Sequence, residues 1–451
     1  MTSPKIQKDI VSACAQEIVK AIIDDLDGDY FGILVDESKD ISHHEQMALA
    51  FRYVDKKGQV NEPFISLVRV SDTSAKSLKE AVLSLLMKHS LNPSKIRGQG
   101  YDGNSNMQGK MNGLKALILQ ETPSAFSVHC FAYRLQLTLV GIAKKHKEVE
   151  TFFAIVTNVL NVIGVSFKRR DQLRGHQAEL LQQLLESGEV QSGKRLSQER
   201  GLQRLALIMS NELSKALQKK DQDIVNAMVF LDITKERLQE MRDKGWEPLM
   251  DESKRRPSSV TYSHHLRVEL FYAVIDLQFL ELNSHFDVVS SNLLLGMASL
   301  NLANSFANFD KERIITLDKH YPDEFGELKL RDLSRQLDTF LWHMQHGDPR
   351  FSSLKGIGDL AKVLVEENLV ETYSLIYLLV KLTLTLPVAT ATVERAFSSM
   401  KYIKCELSSS ISDAFLNDCL VCYFEKEVFV NISNDAIIDR FQNMNARRVQ
   451  L

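Results

Sequence analysis

The sequence predicts an α/β protein in which a mixed β-sheet carries helices on both faces and is followed by a long run of helices. Three observations carry this prediction. In residues 1–145, short apolar runs of strand-forming side chains alternate with amphipathic stretches of helical period. Residues 146–370 have a helical pattern almost throughout, which indicates an all-α insertion or second domain. Residues 371–451 form a third region of dense apolar helices.

The elements of the first region follow from local patterns. A helix is predicted over residues 6–23, where an apolar side chain recurs at every fourth position, and the acidic loop DDLDGDY ends it. Three strands follow, with DKKGQ as a hairpin turn between the second and the third, and Thr73 or Ser74 caps the next helix. The predicted strands are 31–36, 46–55 and 63–70, and after the capped helix come a strand or extended loop in KIRGQGYD, a helix in MQGKMNGLKALILQ, a strand in FSVHC and a helix in FAYRLQLTLVGIAKK.

This order of elements indicates a particular sheet. Three antiparallel strands followed by helical crossovers form a mixed sheet. The same order is that of the ribonuclease H-like fold, in which the first strand and the end of the fourth strand each deliver a carboxylate to one metal centre. Asp36 and Asp102 occupy these two places in the sequence.

Composition excludes several classes of protein. The 451 residues are 44% hydrophobic and 25% charged with a net charge of -3, which is typical of a soluble globular protein without a global basic surface. The most apolar window, residues 374–386, is too short for a membrane span and contains Lys381. The amphipathic N-terminus is not a signal peptide, and five scattered cysteines favour a reducing compartment. We therefore expect an intracellular protein with no membrane partner.

Three acidic residues are the candidates for metal-dependent chemistry. Asp36, Asp102 and Glu394 are predicted to bind Mg²⁺ or Mn²⁺, because hard cations take oxygen ligands. Two such ions can activate an attacking water and stabilise the leaving oxygen of a phosphodiester. Glu394 is the candidate third acid because it lies off the apolar stripe of its helix. The alternative is that all three are ordinary solvated or structural acids, and the neighbouring Glu37 and Asp40 are predicted to be solvated.

The sequence supports only structural roles for the other polar motifs. GYDGNSNMQG around Asp102 suits a tight turn that holds a carboxylate in place. His129 and Cys130 lie at a strand end, but no further ligand has zinc spacing nearby, so they are predicted to pack in the interior. The CLVC segment at 419–422 is predicted to be core for the same reason, and no zinc is expected.

Basic residues cluster at three places. The segments FKRRDQLR (167–174) and ESKRRP (252–257) and the pair Lys401 and Lys404 could each contact phosphate. Each could equally be a solvated helix face or a nuclear-import signal. DNA is therefore a candidate partner, and the nucleus a candidate location.

Four segments in this order resemble the hAT superfamily of DNA transposases, in the plant branch related to zinc finger MYM-type 1-like proteins. They are GILVDESKD, GQGYDGNSNMQG, VHCFAYRLQL and LPVATATVERAFSSMKYIK. The resemblance implies an RNase H-like domain (1–145) interrupted by an all-α insertion (146–370) and closed by a C-terminal hAT dimerisation region (371–451). It also implies an acid triad at Asp36, Asp102 and Glu394, strand cleavage and transfer at transposon ends, and a homodimer or higher oligomer formed through the C-terminal helices.

The sequence departs from this family at several points. Only Cys14 precedes residue 130, so the N-terminal zinc finger of active members is not expected. Tyr133 replaces the histidine of a Cys-x-x-His motif, and neither Trp246 nor Trp342 follows an arginine as the family pattern requires. The residues around 204–205 resemble a join across a missing segment, so the insertion is predicted to be truncated there.

These observations leave three hypotheses. The first is a transposase-derived protein that keeps the fold and dimerises but no longer transposes. The second is an active metal-dependent transposase or nuclease. The third is a non-catalytic DNA-binding or scaffold protein. The apolar density between residues 372 and 424 exceeds what one helix face buries, which predicts packing either on the catalytic domain or on a second subunit.

Overall fold

A computed structural model describes residues 3–109, 111–145, 151, 210–244, 272–286, 292–300, 310–346, 348–351, 354, 356–404 and 410–444. The basic segments 167–174 and 252–257 and the predicted join near 204–205 lie outside the described residues. Contacts divide the chain into two compact units. The first comprises Met1–Tyr133, Lys215–Phe230 and Val289–Leu451, and the second comprises Arg134–Ser214 and Leu231–Val288. The three domains predicted from the sequence, with boundaries near 145 and 370, stay a prediction.

The first unit contains a mixed six-stranded sheet. Its strand order is β3-β2-β1-β5-β6, and β4 pairs with β2 beside β3. The β1–β2 and β2–β4 pairs are antiparallel, whereas β1–β5 and β5–β6 are parallel. The predicted α/β fold is thus confirmed. The strands are β1 (Phe31–Lys39), β2 (Glu45–Val54), β3 (Val60–Asn61), β4 (Phe64–Arg69), β5 (Ile96–Tyr101) and β6 (Phe126–His129).

Both faces of the central strands are covered. Successive side chains of a strand point to opposite faces, and every residue from Phe31 to Asp36 in β1 is buried. The adjacent strand β2 is buried in the same way from Gln46 to Val54. Strands that are buried on both faces appear in the sequence as continuous apolar runs, because helices cover the sheet on each side.

Helices occupy most of the remaining described chain. Ser74, one of the two predicted caps, accepts a hydrogen bond from the Ser77 backbone at the start of α2. None of the described helices combines the length and the hydrophobicity that a membrane span requires. The helices are α1 (Pro4–Leu26), α2 (Ala75–Lys88), α3 (Ser105–Gln108), α4 (Leu114–Glu121), α5 (Phe131–Lys145), α6 (Ile224–Lys244), α7 (Ala273–Phe286), α8 (Asn292–Ala298), α9 (Lys311–Ile315), α10 (Glu327–Gln345), α11 (Ile357–Glu366), α12 (Ser374–Leu384), α13 (Ala391–Ile403), α14 (Asp413–Phe424), α15 (Lys426–Val430) and α16 (Asn434–Asn443).

The C-terminal helices pack on the sheet of the first unit. Helix α13 contacts β1 and β2, and α14 contacts α1 and β4. Their buried apolar side chains belong to the same core as the strands. Burial within the chain therefore accounts for much of the apolar density that the sequence shows between residues 372 and 424. The prediction of a dimer consequently has to rest on other observations.

Candidate metal centre

Asp36 and Asp102 lie side by side just beyond the point where the pairing of parallel strands β1 and β5 ends. The prediction that the first strand ends at Asp36 is wrong, because β1 continues to Lys39 through its pairing with β2. The register pairs Leu34 of β1 with Gly100 of β5, and each aspartate lies two residues beyond its strand's paired residue. Because side chains alternate between faces, the two carboxylates project from the same face of neighbouring strands, which are about 4.8 Å apart. Asp36 is only 9% exposed, and its Oδ1 accepts a hydrogen bond of 2.8 Å from the Glu37 backbone.

Glycines on that face let the chain cross it before α13. A Cβ at Gly32 or Gly98 would overlap the Thr385 carbonyl oxygen, and one at Gly100 would overlap the Pro387 ring. These three positions therefore require a residue without a side chain, because the segment between α12 and α13 lies directly against the strands. The crossing brings the start of α13 to the point where the pairing of β1 with β5 ends.

Three hydrogen bonds fix this crossing to the ends of β5 and β6. The Phe131 N–H donates to the Val388 carbonyl at 2.9 Å, and the Thr390 N–H donates to the Cys130 sulfur at 3.4 Å. The Cys130 N–H in turn donates to the Tyr101 carbonyl at 3.2 Å, next to Asp102. Cys130 is 1% exposed, so its predicted burial is confirmed. Its role is to tie three segments of the candidate site together.

Glu394 lies in the first turn of α13, where this crossing ends. Its Oε1 accepts a hydrogen bond of 2.7 Å from the Thr390 hydroxyl, and its side chain is exposed to solvent. A carboxylate in the first turn of a helix is stabilised by the helix dipole. The third candidate acid is thus held at the site from a position 292 residues beyond Asp102 in the sequence (394 - 102).

Burial and neighbouring negative charge raise the pKa of Asp36 and of Asp102. Burial and then the charges of Asp102 and Glu394 raise the pKa of Asp36 to about 7, although the Glu37 N–H opposes the shift. Burial and the charge of Glu394 likewise raise the pKa of Asp102. Within the described chain, no basic side chain forms an ion pair with any of the three acids. The group therefore carries excess negative charge that a cation would neutralise.

The donor set fits a hard divalent cation. All three groups are carboxylates, and Mg²⁺ prefers oxygen ligands. They come from strand β1, from the residue that follows β5 and from the first turn of a helix, and regular elements are suited to holding ligands in place. Asp36, Asp102 and Glu394 thus have the donor chemistry that suits Mg²⁺ or Mn²⁺. Among the described residues, however, the group whose ligand atoms all lie within 4.8 Å of one another is Asp40, His44 and Asp413.

Hydrogen bonds from neighbouring residues support the turn after Asp102. The Asn106 side chain donates to Glu37 Oε1 at 2.6 Å and to the Thr73 carbonyl at 2.7 Å. Asp102 Oδ1 accepts from the Asn104 backbone at 3.1 Å, in the tight turn that the sequence predicted. Glu37 was predicted to be a solvated bystander, and this is wrong, because it is half-buried and anchors the turn.

Tyr133 also reaches this turn. A Cβ at Gly103 would overlap the Tyr133 ring, so this ring lies directly against the residue that follows Asp102. The ring also lies near the His129 ring, with centroids 5.8 Å apart. The Tyr133 ring therefore forms part of the wall beside the turn that follows Asp102.

A second carboxylate cluster lies at the other end of α13. Ligand atoms of Asp40, His44 and Asp413 lie within 4.8 Å of one another, a spacing that could hold a metal ion. The Lys404 ammonium already lies there, 2.6 Å from Asp40 Oδ2 and 3.7 Å from Asp413 Oδ1. Lys404 is 2% exposed and Asp40 is 4% exposed. The lysine therefore supplies the positive charge of this cluster.

The predictions for these two residues are wrong. Asp40 was predicted to be solvated, and Lys404 to face phosphate or solvent. Burial alone would raise the pKa of Asp40, but hydrogen bonds from Lys404, the His44 backbone and Gln46 outweigh it and lower this pKa to about 2. The sequence held one usable signal for Lys404. It follows Met400 by four positions and so falls on the buried stripe of α13.

Comparison with known proteins agrees with the fold of the first unit. Residues 1–113 match the family model described as ZMYM1/FAM200, RNase-like domain (DUF4371). The matched part includes α1, the strands from β1 to β5, and both Asp36 and Asp102. Glu394 lies outside the matched residues. The match therefore supports an RNase-like domain at the N-terminus.

Proposed function

We propose that this chain is a transposase-derived protein of the hAT type whose RNase-like domain keeps a metal-dependent centre for cleaving nucleic-acid strands. The observation that carries the proposal is the group of Asp36, Asp102 and Glu394. Three distant parts of the sequence contribute one carboxylate each, and burial together with the charges of neighbouring acids raises the pKa of Asp36 and of Asp102. An arrangement with this much uncompensated charge is typical of functional sites rather than of structural ones.

The residues have distinct roles in this proposal. When bound, Mg²⁺ or Mn²⁺ would activate a water or hydroxyl and stabilise the leaving oxygen of a phosphodiester. Asp36 is the most buried of the three candidate acids and would fix the centre to the sheet. Asp102 would share this task from the neighbouring strand, and the exposed Glu394 would close the centre on the solvent side. The Asn106 side chain and the Tyr133 ring would hold the turn that carries Asp102.

Transposition itself is not part of the proposal. The chain lacks a tryptophan that follows arginine, and Tyr133 replaces the histidine of the resembling family. We infer that strand cleavage is the activity the acid group supports, whereas recognition of transposon ends has been lost. A nuclear location would follow from a DNA substrate.

A plasmid-nicking assay tests the cleavage. Purified protein is expected to nick supercoiled DNA in Mg²⁺ or Mn²⁺, and Asp36→Ala is expected to reduce nicking at least about 1,000-fold, as loss of a principal catalytic group does. Glu80→Gln, which changes an exposed acid on α2, is the matched control and should leave nicking unchanged. Circular dichroism would check that each variant is folded.

Three outcomes would reject the cleavage proposal. Nicking that needs no metal, or that survives in Asp36→Ala, would show that the acid group is not responsible. Absence of nicking together with salt-sensitive DNA binding that Asp102→Asn leaves unchanged would favour the non-catalytic DNA-binding protein instead.

We also propose that the C-terminal helices form a homodimer. The apolar side chains of Val430 on α15 and Ile438 on α16 are exposed, with Val430 82% exposed. Exposed apolar groups on neighbouring elements favour association. Two differently tagged copies should co-purify, and Val430→Lys should weaken this association. Failure of the wild-type copies to co-purify would reject the dimer.

A further inference from the structure

The solvent face of α13 begins at the candidate metal centre. The buried face of this helix packs on the sheet through Val393, Ala396, Phe397 and Met400. The opposite face is exposed, and five of its side chains lie on it in sequence from the first turn to the last. They are Glu394, Arg395, Ser398, Lys401 and Tyr402.

The charged groups on this face differ in what they already bind. The Arg395 guanidinium donates to the Thr392 hydroxyl at 3.1 Å and to the Gln218 carbonyl at 3.4 Å. Lys401 makes no ion pair or hydrogen bond with any described residue. Lys404, three residues later, is buried against Asp40. The structure thus separates the two lysines that the sequence could not tell apart, and leaves the Lys401 ammonium available to a ligand.

Tyr402 is the most exposed large aromatic side chain on the described surface. It is 85% exposed, beside Lys401 and near the end of the helix. Exposing an aromatic ring to water is unfavourable in free energy, and a partner with a flat apolar face would cover the ring. A nucleic-acid base is such a partner, and its phosphate would meet the neighbouring ammonium.

Distances along the helix fit a nucleic-acid strand. Glu394 and Lys401 are separated by seven residues, or roughly 10 Å along a helix that rises 1.5 Å per residue. This is about the length of three nucleotides stacked at 3.4 Å. A strand whose phosphate lies at the acid group could therefore extend along α13 and reach both Lys401 and Tyr402.

We propose that the exposed face of α13 is a subsite for a single-stranded segment of nucleic acid next to the cleaved phosphate. Lys401 binds a phosphate of this segment, and Tyr402 stacks on one of its bases. The proposal rests on the proposed function and adds the form of the substrate. A single strand fits this face because stacking on an aromatic side chain needs an unpaired base, which a duplex keeps inside its helix.

Binding to labelled oligonucleotides tests the subsite. The probes are a fluorescein-labelled oligothymidine of about 20 nucleotides, longer than a typical single-strand site, and a labelled duplex of equal length. Ca²⁺ replaces Mg²⁺ so that binding is measured without cleavage. Tyr402→Ala is expected to weaken binding of the single strand about tenfold and to change duplex binding by less than about twofold. Lys401→Gln should reduce the salt slope by about 0.7, the value for one phosphate contact on a single strand.

The chain offers a matched control pair. Tyr423 and Lys426 are also an exposed tyrosine and a lysine, with the ammonium 4.4 Å from the ring centre, on α14 and α15. Tyr423→Ala and Lys426→Gln should leave binding unchanged. If Tyr402→Ala and Lys401→Gln behave like these controls, if single strand and duplex lose affinity equally, or if the wild-type protein binds neither probe, the subsite is wrong.

The outcome is separable from that of the cleavage assay. Weaker single-strand binding by Tyr402→Ala in a protein that does not nick DNA would reject the proposed cleavage and keep the subsite. Metal-dependent nicking that Asp36→Ala abolishes, together with unchanged single-strand binding by Tyr402→Ala, would keep the cleavage and reject the subsite.

Discussion

Helix α13 meets strand β1 and its following turn at two carboxylate clusters that differ in one respect. At the start of the helix, Glu394 approaches Asp36 and Asp102, and no described basic side chain pairs with them. Just after its end, Lys404 lies between Asp40 and Asp413. Burial would raise the pKa of an aspartate in both places, yet the pKa of Asp36 is raised to about 7 and that of Asp40 is lowered to about 2.

A cation supplied by the chain decides whether a buried acid keeps its charge. Where lysine is present, buried acids keep their charge and hold α13 to the turn after β1. Where it is absent, the acids repel one another, and their charges are maintained at a cost in stability. A cluster with a purely structural role would gain nothing from this cost. The uncompensated negative charge therefore favours the binding of an external cation at the first cluster.

The largest expected effect comes from removing the cation of the second cluster. Lys404→Met should lower the free energy of unfolding by about 3 kcal/mol, because it leaves the Asp40 charge buried without its ionic partner. The pKa of Asp40 is lowered, so the stability from this pair is present above the unfolded pKa near 3.9 and is lost as pH falls towards about 2. Urea unfolding at about pH 7 and about pH 3 would measure both effects.

Two further variants test whether the loss of stability comes from the Lys404–Asp40 pair. Lys401→Met removes an exposed lysine from the same helix and should change stability by less than about 0.5 kcal/mol. Lys404→Met combined with Asp40→Asn should recover part of the loss, since the uncompensated charge is then gone. Equal effects of Lys401→Met and Lys404→Met would show that the second cluster is not held by its lysine.

The sequence predicts the first cluster better than the second for a physical reason. Asp36 ends the apolar run of β1 and Asp102 directly follows β5, and the order of elements places these two points together. Asp40 and Lys404 are 364 residues apart, and nothing near either residue indicates the partner. Arg52 is a similar case, because it lies in an apolar strand and is buried through bonds to Glu62 and to distant carbonyl oxygens. Local pattern shows which elements form, whereas buried charges depend on long-range packing.

The second-largest expected effect on the free energy of unfolding comes from neutralising Asp36. Its pKa is raised to about 7, so the stability it contributes is present below the unfolded pKa near 3.9 and is lost as pH rises through about 7. Asp36→Asn removes this loss. Without metal, it should stabilise the protein by about 2 kcal/mol at about pH 8 and by less than half of that at about pH 5.

Urea unfolding in EDTA would measure this stabilisation. Glu80→Gln on the surface of α2 is the control and should show no such pH dependence. Destabilisation by Asp36→Asn at about pH 8 would contradict the view that the first cluster is held at a cost.

A smaller effect is expected from metal binding at the first cluster. Mg²⁺ at ten times its Kd should raise the free energy of unfolding by about 1.4 kcal/mol, because only the folded protein gathers the three acids. Asp102→Asn and Glu394→Gln should each abolish most of this gain. Asp413→Asn changes the second cluster and should leave it intact. If instead Asp413→Asn removed the gain, Mg²⁺ would be binding at the wrong end of α13.

The smallest effect is expected from the contacts that hold the turn after Asp102. Asn106→Ala removes the hydrogen bonds to Glu37 and to the Thr73 carbonyl, so it should cost about 1 kcal/mol of stability. Because Asn106 does not touch Asp102, it should weaken Mg²⁺ binding only about threefold, less than direct partners of metal ligands do. Asn104→Ala is the matched control, since Asn104 supports Asp102 through its backbone N–H alone. Isothermal titration of Mg²⁺ into each variant would distinguish them, and equal affinities in Asn106→Ala and Asn104→Ala would show that the Glu37–Asn106 contact does not position Asp102.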